Sequence, residues 1–348
     1  MTRPARWRPA LLVAALAALL AVLCLLSIGL GALSIPPGDV IKALTGQPTG
    51  PRIEDVIWSV RIPRTALGLA AGAALGLSGC VMQALTRNPL ADPGIPATPA
   101  AMTMANAAPA LTPRIAAGVA GIGSLFGYIW FAFAGAMAAS VVVYLLGRMG
   151  RSGSTPVKLA LAGVAVTAVL SSLTSAVVLT DPAALDRFRF WSAGSLADQD
   201  ASTVLRILPF LGLGALLALA SAPALNSLAL GDDVAASLGR KLGLVRLQGV
   251  VAVTLLTGAA VAVIGPVVFI GLVVPHVARV LAQYAGLGPD HRWLLPLSAA
   301  LAAGLLLGAD ILGRVIARPV EVQAGIIVAF IGGPFFIALV RRRRLAEI

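Results

Sequence analysis

Charged residues are scarce in this chain of 348 residues, where Asp, Glu, Lys and Arg together make up 11% and hydrophobic residues make up 59%. An ordinary soluble domain has about 25% charged residues. The 26 basic and 14 acidic residues cannot supply the polar surface that a soluble core of this length would need. The composition therefore excludes a soluble globular protein and indicates a chain that folds in the lipid bilayer.

Aromatic residues are also few, at 5% of the chain, and there are only two cysteines. The net charge of +12 could point to nucleic acid, but a nucleic-acid groove needs a basic face, often with aromatic rings that stack on the bases. We therefore set nucleic acid aside as a partner. Cys24 and Cys80 both lie inside apolar runs, where a thiol packs as a small hydrophobic group and does not indicate a disulfide framework.

The chain lacks the motifs of an energy source of its own. No Gly-x-x-x-x-Gly-Lys-Ser/Thr loop is present to cradle the phosphates of ATP. Ion-coupled transporters usually keep a carboxylate or histidine near the middle of the membrane, and the nearest candidate, Asp310, lies at the end of a predicted span. An ion-coupled secondary transporter and an intramembrane enzyme stay open as alternatives, although the sequence offers neither a midplane ion ligand nor a converging nucleophile, metal or acid pair.

Long apolar runs, in contrast, fill the chain. A helix needs about 20 mainly apolar residues to cross the hydrocarbon core, and charges, prolines and glycine clusters mark the breaks between such runs. Ten spans are predicted on this basis, at about 9–33, 65–86, 95–112, 115–146, 158–179, 203–222, 247–263, 266–285, 293–309 and 322–340. The first is too long for the core of a signal peptide and lacks a clear cleavage site, so we expect a retained helix. The sequence predicts an all-α polytopic membrane protein with a single transmembrane domain over residues 1–348.

Lysines and arginines gather on one side of these spans. With ten crossings and the N-terminus in the cytoplasm, the inner segments carry 16 of the 26 basic residues but only five of the 14 acidic ones. The inner side then has a formal charge of +11 and the outer side one of +1. Because basic residues are enriched in cytoplasmic loops, both termini are expected in the cytoplasm.

The longest inner loop, about 223–246, combines apolar residues with glycines. Its pattern predicts two short amphipathic helices that are joined by a turn near Gly231, with Asp232 placed to favour a helix N-terminus. Such helices at the membrane surface suit the docking of a partner that moves. An ordinary interfacial helix in contact with lipid headgroups is the alternative from the pattern alone.

Eight stretches of the chain, in the correct order, resemble the FecCD-type permeases, the transmembrane subunits of type II ABC importers for ferric siderophores, haem and cobalamin. The stretches are RIPRTALGLAAGAALGLSG at 61–79, QALTRNPLADPG at 83–94, LALAGVAV at 159–166, FWSAGSL at 190–196, LNSLALGDDVAASLG at 225–239, GPVVFIGLVVPHVAR at 265–279, DHRWLLPLSAALAAGLLLGADILGR at 290–314 and GGPFF at 332–336. The resemblance covers about residues 35–340. It implies the type II permease fold of ten transmembrane helices per subunit, and alternating access across the bacterial inner membrane.

The resemblance implies that the chain works with other subunits. Two copies are expected to surround a central path, with two ATPase subunits on the cytoplasmic side and a substrate-binding protein on the outer side. ATP and Mg would be bound by the ATPase subunits, with no cofactor in this chain. The paired coupling helices of the family correspond here to about 226–243. The matching residues are Leu228, Leu230, Gly231, Asp232, Ala235, Leu238 and Gly239.

The resemblance also assigns roles at the two mouths of the path. Arg61, Arg64 and Arg314 are expected to bind glutamates of the binding protein, because a guanidinium forks onto a carboxylate and stays charged. Without the resemblance, these arginines would be interpreted as interfacial residues that reach towards lipid headgroups. The cytoplasmic gate is expected at Ser154, Thr155 and Pro156. An ordinary turn rich in Ser, Gly, Thr and Pro is the alternative there.

The chain departs from the family pattern after NPLADPG, where three prolines interrupt the predicted third span. The residues that could line the path there for a bulky apolar ligand are Met102, Met104 and Asn106. Methionines at helical spacing also serve as packing residues, which is the alternative. The substrate is expected to be an iron chelate, either a ferric siderophore or haem, with cobalamin as the alternative, and specificity is expected to lie largely in the binding protein.

Two further predictions concern the inner loops. Arg87 and Asp92 lie close enough in RNPLADPG to pair. His276 and His291 have no cysteine or second histidine at ligand spacing, so we expect them to brace the inner loops by hydrogen bonds rather than to bind a metal. No residue of this chain is expected to be catalytic.

Overall fold

The structure is a computed structural model that describes residues 7–31, 34–89, 91–92, 156–180, 191–197, 201–318 and 320–341, together with six helical positions between 135 and 146. The residues that it describes are mostly helical and include no strand, which confirms the predicted all-α class. The predicted third and fourth spans lie outside the described residues, apart from those six positions.

Twelve α-helices are described, and we number them in chain order. They are α1 (Trp7–Gly29), α2 (Pro37–Leu44), α3 (Pro51–Asp55), α4 (Ile62–Thr86), α5 (Pro156–Thr180), α6 (Ala201–Ala220), α7 (Ala222–Ala229), α8 (Asp232–Ser237), α9 (Leu242–Ile264), α10 (Ile270–Tyr284), α11 (His291–Ile316) and α12 (Ala324–Arg341). A π-helical turn, Val56–Arg61, joins α3 directly to α4.

The longer helices account for most of the predicted spans. Five helical segments in the described part of the chain are long and apolar enough to cross a membrane. They are α1, α6, α9, α11 and the continuous segment Pro51–Thr86, which comprises α3, the π-helical turn and α4. Shorter apolar stretches occur in α5, α10 and α12. Eight of the ten predicted spans therefore coincide with helices, with boundaries that differ by a few residues.

α4 is the central helix of the described bundle, since it packs against α6, α9, α10 and α11. Glycines along one side of it let neighbouring backbones come close. A Cβ atom at Gly72 would lie 2.6 Å from Cα of Ala303, and one at Gly76 would lie 2.2 Å from the carbonyl oxygen of Ser298. Gly79 meets the backbone of α10 in the same way. The small residues of α4 thus join it to α11 and α10 with no layer of side chains between the backbones.

α10 is shorter than the span predicted at 266–285. Gly265 ends α9 with a φ of 75°, and Phe269 adopts a left-handed φ of 70° just before α10 begins. The backbone N–H of Phe269 donates to the carboxylate of Asp92 at 3.2 Å. With 15 residues, α10 is about 22 Å long, which is too short to cross the hydrocarbon core alone.

α1 lies at the edge of the bundle, and most of its side chains are exposed or partly exposed. It contacts mainly α11 and the short α2. Its buried residues are confined to the last turn, at Ser27, Ile28 and Gly29. Leu12, Leu16, Leu20 and Leu23 contact the bundle along the length of α1, but only its C-terminal end is fully buried.

α4 and α11 run antiparallel and connect two ends of the molecule. The arginine end is the one where α1 finishes, near the start of α4 and the last turns of α11. The hairpin end is the opposite one, where α7 and α8 lie beside the first turn of α11. The candidate functional residues that the structure describes fall at these two ends.

Candidate functional site

α7 and α8 form a helical hairpin, as the sequence predicts. The turn falls on Gly231, whose φ of 115° is one that L side chains rarely adopt. Asp232 is the first residue of α8, where a carboxylate favours the positive end of the helix dipole. The hairpin spans residues 222–239, so it starts about one turn before the predicted segment, and Gly239, with a φ of 77°, follows α8.

The hairpin has a buried and an exposed apolar side. Leu228 and Ala235 are buried against the bundle. Leu230 and Leu238 are 65% and 59% exposed, and Val234 between them is exposed as well. Apolar side chains that cluster in this way on a loop indicate a surface that another molecule covers.

Asp232 connects the hairpin to two long helices. It pairs with Arg87, which follows α4 in a left-handed conformation, and its Oδ2 lies 2.8 Å from Nη2 of Arg246 on α9. The predicted pair of Arg87 with Asp92 is wrong, because Arg87 turns to the hairpin while Asp92 accepts from the backbone N–H of Phe269. The three side chains of this ion-pair group are 38% to 44% exposed, so water and salt weaken the attraction.

Asn226 connects the hairpin to the start of α11. Its Nδ2 donates to Oδ1 of Asp290 at 2.6 Å, and its Oδ1 accepts from the backbone N–H of His291 at 2.9 Å. Nδ1 of His291 lies 2.8 Å from the same oxygen, which requires a proton on Nδ1 because the amide oxygen can only accept. Asp290 is also the N-cap of α11 and accepts from the backbone N–H of Arg292 at 2.8 Å. The hydrogen bond from the backbone of Arg292 lowers the pKa of the Asp290 carboxyl below its ordinary value, and the hydrogen bond from Asn226 lowers it further.

Two buried arginines lie against the last turn of α1 at the arginine end. Arg61 donates from Nη1 to two carbonyl oxygens of this turn, and Arg314 donates from Nη1 to two others. The acceptors are Ile28 and Gly29 for Arg61, at 2.5 and 2.8 Å, and Ser27 and Leu30 for Arg314, both at 2.8 Å. The last carbonyl groups of a helix lack partners within it and carry its negative dipole charge. The two guanidinium groups therefore cap α1 together.

Asp310 is shared between Arg64 and Arg314. Arg64 donates to it from Nε and from Nη2, the latter at 2.8 Å, and Nη2 of Arg314 lies 2.9 Å from its Oδ2. Nη2 of Arg64 also lies 2.8 Å from Oε2 of Glu321. Asp310 is 2% exposed but Glu321 is 34% exposed, so the cluster opens to the surface at the pair of Arg64 with Glu321.

The three arginines predicted for docking therefore lie together, but in different surroundings. Arg61 and Arg314 are only 5% and 3% exposed. The guanidinium of Arg61 already binds α1, and that of Arg314 already binds both α1 and Asp310. A partner's carboxylate could reach these two only after their bonds to the bundle had broken. The geometry thus favours Arg64 as the contact, and docking at any of the three stays a prediction.

Sequence reasoning missed the carboxylates of this cluster. Asp310 attracted notice only as a poor candidate for ion coupling, whereas its charge is bound by Arg64 and Arg314. The available signal was the spacing of Asp310 and Arg314, because residues four apart face the same side of a helix. The role of Glu321 depends on the fold of the loop after α11, for which the local sequence gives no pattern.

Other predicted residues fall largely outside the described part of the chain. These are the gate residues Ser154 and Thr155 and the lining residues Met102, Met104 and Asn106. Pro156, the third gate residue, is the first residue of α5. His291 bonds to Asn226 of the hairpin, as predicted. Nδ1 of His276 lies 3.0 Å from the carbonyl oxygen of Leu272 within α10, so a role of His276 in bracing an inner loop stays a prediction. Among the described residues, no group of three or more His, Cys, Asp or Glu side chains is placed to hold a metal ion.

Comparison with known proteins agrees with this geometry. The model of the FecCD transport family matches residues 19–342. The chain is 43% identical to the ferric enterobactin transport system permease protein FepD of Escherichia coli K12, over 96% of both chains, and 35% identical to the hemin transport system permease protein HmuU of Yersinia pestis, over 97% and 98%. A solved metal-chelate type ABC transporter in an inward-facing conformation has a TM-score of 0.78 at 27% identity, covers 96% of this chain and 99% of its own, and confirms the permease fold. The chain belongs to the FecCD transport family.

Proposed function

We propose that this protein is the permease subunit of an ATP-driven importer and that it moves an iron chelate across the bacterial inner membrane. The full-length similarity to FepD, a permease for ferric enterobactin, carries this proposal and favours a ferric siderophore. The similarity to the hemin permease HmuU supports haem as the second candidate. Cobalamin is the alternative substrate, because the permeases that the sequence motifs resemble include those of cobalamin importers.

The energy for transport comes from separate ATPase subunits, two of which bind a homodimer of this chain and hold the ATP and Mg. The exposed leucines of the hairpin support this arrangement, since Leu230 and Leu238 form an apolar surface without a covering element in the described structure. The hairpin and both termini then lie in the cytoplasm, which agrees with the excess of basic residues in the inner segments. The chain itself holds no cofactor, and its residues carry out no bond-making chemistry.

The substrate-binding protein docks at the arginine end, where Arg64 is the best placed of the three predicted residues. Its guanidinium lies at the edge of the cluster and pairs with one partly exposed carboxylate, that of Glu321. A carboxylate of the partner can replace Glu321 there without disturbing the cap of α1. The gate at Ser154, Thr155 and Pro156 and the lining at Met102, Met104 and Asn106 are part of the same proposal.

Uptake by a reconstituted complex tests both the substrate and the energy source. The permease, co-purified with its ATPase subunit and placed in proteoliposomes with its binding protein, is offered ferric enterobactin, ferric citrate, haem and cyanocobalamin in turn. We expect an iron chelate to accumulate when ATP is supplied, and we expect a nonhydrolysable analogue but not a protonophore to abolish the uptake. Uptake that follows a proton or sodium gradient without ATP would overturn the mechanism, and uptake of cyanocobalamin alone would replace the iron chelate as substrate.

A further inference from the structure

The side chain of Asn226 joins the hairpin to α11 through both of its polar atoms. The amide oxygen accepts from the backbone N–H of His291, at 2.9 Å, and lies 2.8 Å from its ring nitrogen Nδ1, while Nδ2 donates to Asp290 at 2.6 Å. Asp290 and His291 follow Asn226 by 64 and 65 residues, so this contact is tertiary and not a property of one local turn. Asn226 therefore fixes α7 to the N-cap and the first residue of α11.

The His291 side of this connection is less accessible to solvent than the ion pairs of Asp232. The ion pairs of Asp232 lie among side chains that are 38% to 44% exposed, where water and salt reduce their strength. His291, in contrast, is buried with 9% of its surface exposed. Hydrogen bonds that involve a charged partner, such as Asp290 here, are stronger than those between neutral groups.

α11 extends from this contact to the opposite end of the molecule. Its middle packs directly on α4 at Gly72 and Gly76, where no flexible side chains separate the two backbones. Its last turns carry Asp310 and Arg314, which bind Arg64 and α1. Pro296 lies between the first turn of α11 and these contacts and removes one hydrogen bond of the helix, but the direct packing on α4 beyond it leaves α11 little room to bend. A displacement of the first turn is therefore passed along α11 to the arginine end.

We infer that Asn226 is the positioning residue through which movement of the hairpin drives α11. The inference rests on the proposed docking of an ATPase subunit at the hairpin and adds the route by which the movement leaves it. Asn226 itself touches neither ATP nor substrate. Its role is to keep α7 and α11 moving as one body when the ATPase subunits close and open.

An exchange of two neighbouring side chains tests this role. Asn226→Asp places a carboxylate directly against that of Asp290, which replaces an attractive contact with a repulsive one. The double variant Asn226→Asp with Asp290→Asn restores one amide and one carboxylate at the same distance, and asparagine serves as an N-cap as well as aspartate does. Ser227→Ala is the matched control, because the hydroxyl of Ser227 bonds only within α7, to the carbonyl oxygen of Pro223 at 3.1 Å.

Movement of α11 is followed in the whole complex of permease and ATPase in lipid nanodiscs. Ile316→Cys, at the arginine end of α11 and 67% exposed in the native chain, carries an environment-sensitive fluorophore, with Cys24 replaced by alanine. Cys80 is buried and does not react with the label. The change in fluorescence on addition of ATP and vanadate, the rate of ATP hydrolysis and the amount of co-purified ATPase subunit are measured for each variant.

We expect Asn226→Asp to reduce the shift of the conformational equilibrium by about tenfold while ATPase binding is retained. The double variant should recover most of the response, and Ser227→Ala should behave as the native protein does. A native response in Asn226→Asp, or a double variant that stays impaired, would overturn the inference. A native permease that fails to co-purify with any ATPase subunit would instead overturn the proposed function on which it rests.

Discussion

Arg61 and Arg314 place two positive charges against the last turn of α1 and donate to four of its carbonyl groups. The sequence and its resemblance select these residues as important but assign them to a partner protein. The reason is that the identity of an arginine predicts a carboxylate or carbonyl acceptor, whereas the fold decides which acceptor is within reach. Only Arg64, with Glu321 beside it, keeps a contact near the surface.

Loss of the guanidinium at position 61 should destabilise the protein. Arg61→Ala leaves the carbonyl group of Ile28 without a donor and removes one of the two donors to Gly29, which keeps the backbone N–H of Ile35 at 3.0 Å. The loss is expected to lower the free energy of unfolding by about 1–3 kcal/mol. Thermal unfolding in detergent measures the effect. Arg52→Ala, at an exposed arginine near the same end, serves as the control and should unfold near the native temperature. Equal stability of the two variants would contradict a capping role for Arg61.

Removal of the internal carboxylate should favour docking at Arg64. Glu321→Gln frees Arg64 of its exposed partner and makes the surface more positive, so affinity for the binding protein should rise by up to about fivefold and should fall again at high salt. Arg64→Ala should weaken the same complex. Asp55→Asn, an exposed acidic residue at the same end, is the control for net charge. Titration calorimetry at two salt concentrations distinguishes these outcomes. An affinity that changes with neither Arg64→Ala nor Glu321→Gln would exclude this surface as the docking site.

At the scale of elements, apolar periodicity and length predict the long helices well because a membrane helix must hide its backbone along its whole length. The short hairpin is also predictable, since Gly231 and Asp232 mark its turn and second helix. The π-helical turn Val56–Arg61 and the half-length α10 are not, because their shapes depend on packing and on contacts such as that of Asp92 with Phe269. Local sequence does not encode those distant partners.

The close contact between α4 and α11 leaves no room for an added side chain at Gly76. Gly76→Ala adds a methyl group 2.2 Å from the carbonyl oxygen of Ser298, so the helices must separate at a cost of about 1–3 kcal/mol. Gly212→Ala, in α6, is the control because nothing lies within 4 Å of the added Cβ atom. It should leave stability unchanged or slightly raised, since alanine favours a helix over glycine. Similar unfolding temperatures for both variants would show that the close approach is not required.

At the scale of the whole molecule, the two ends differ in chemistry although the same two helices join them. The hairpin end presents exposed leucines. The arginine end combines exposed apolar residues, such as Ile316 and Val320, with buried ion pairs and with the pair of Arg64 and Glu321 near the surface. An apolar surface suits a partner that remains attached, whereas a charged surface suits one that binds and leaves, because charge pairs speed encounter and yield to salt. Under the proposed function, the ATPase subunit would use the leucines at one end and the binding protein would use Arg64 at the other.

The permanent partner should be lost when the leucines are made polar. Leu230→Asp combined with Leu238→Asp should weaken ATPase association at least about tenfold, because both side chains are exposed in the permease alone and would be buried in the complex. Thermal unfolding of the isolated permease should change little. Val320→Asp, 69% exposed at the opposite end, is the control and should retain the ATPase subunit on purification. Retention by the double variant would remove the hairpin as the docking surface.

The cap of α1 also bears on how the chain is made. Arg61 follows Ile28 by 33 residues, whereas Arg314 follows Ser27 by 287, so one half of the cap is synthesised long before the other. During this interval the carbonyl groups of Ser27 and Leu30 depend on water and lipid headgroups for their hydrogen bonds. A nascent or truncated chain that stops short of Arg314 therefore has α1 held by Arg61 alone, while the carbonyl groups of Ser27 and Leu30 still lack the donor that the finished chain supplies.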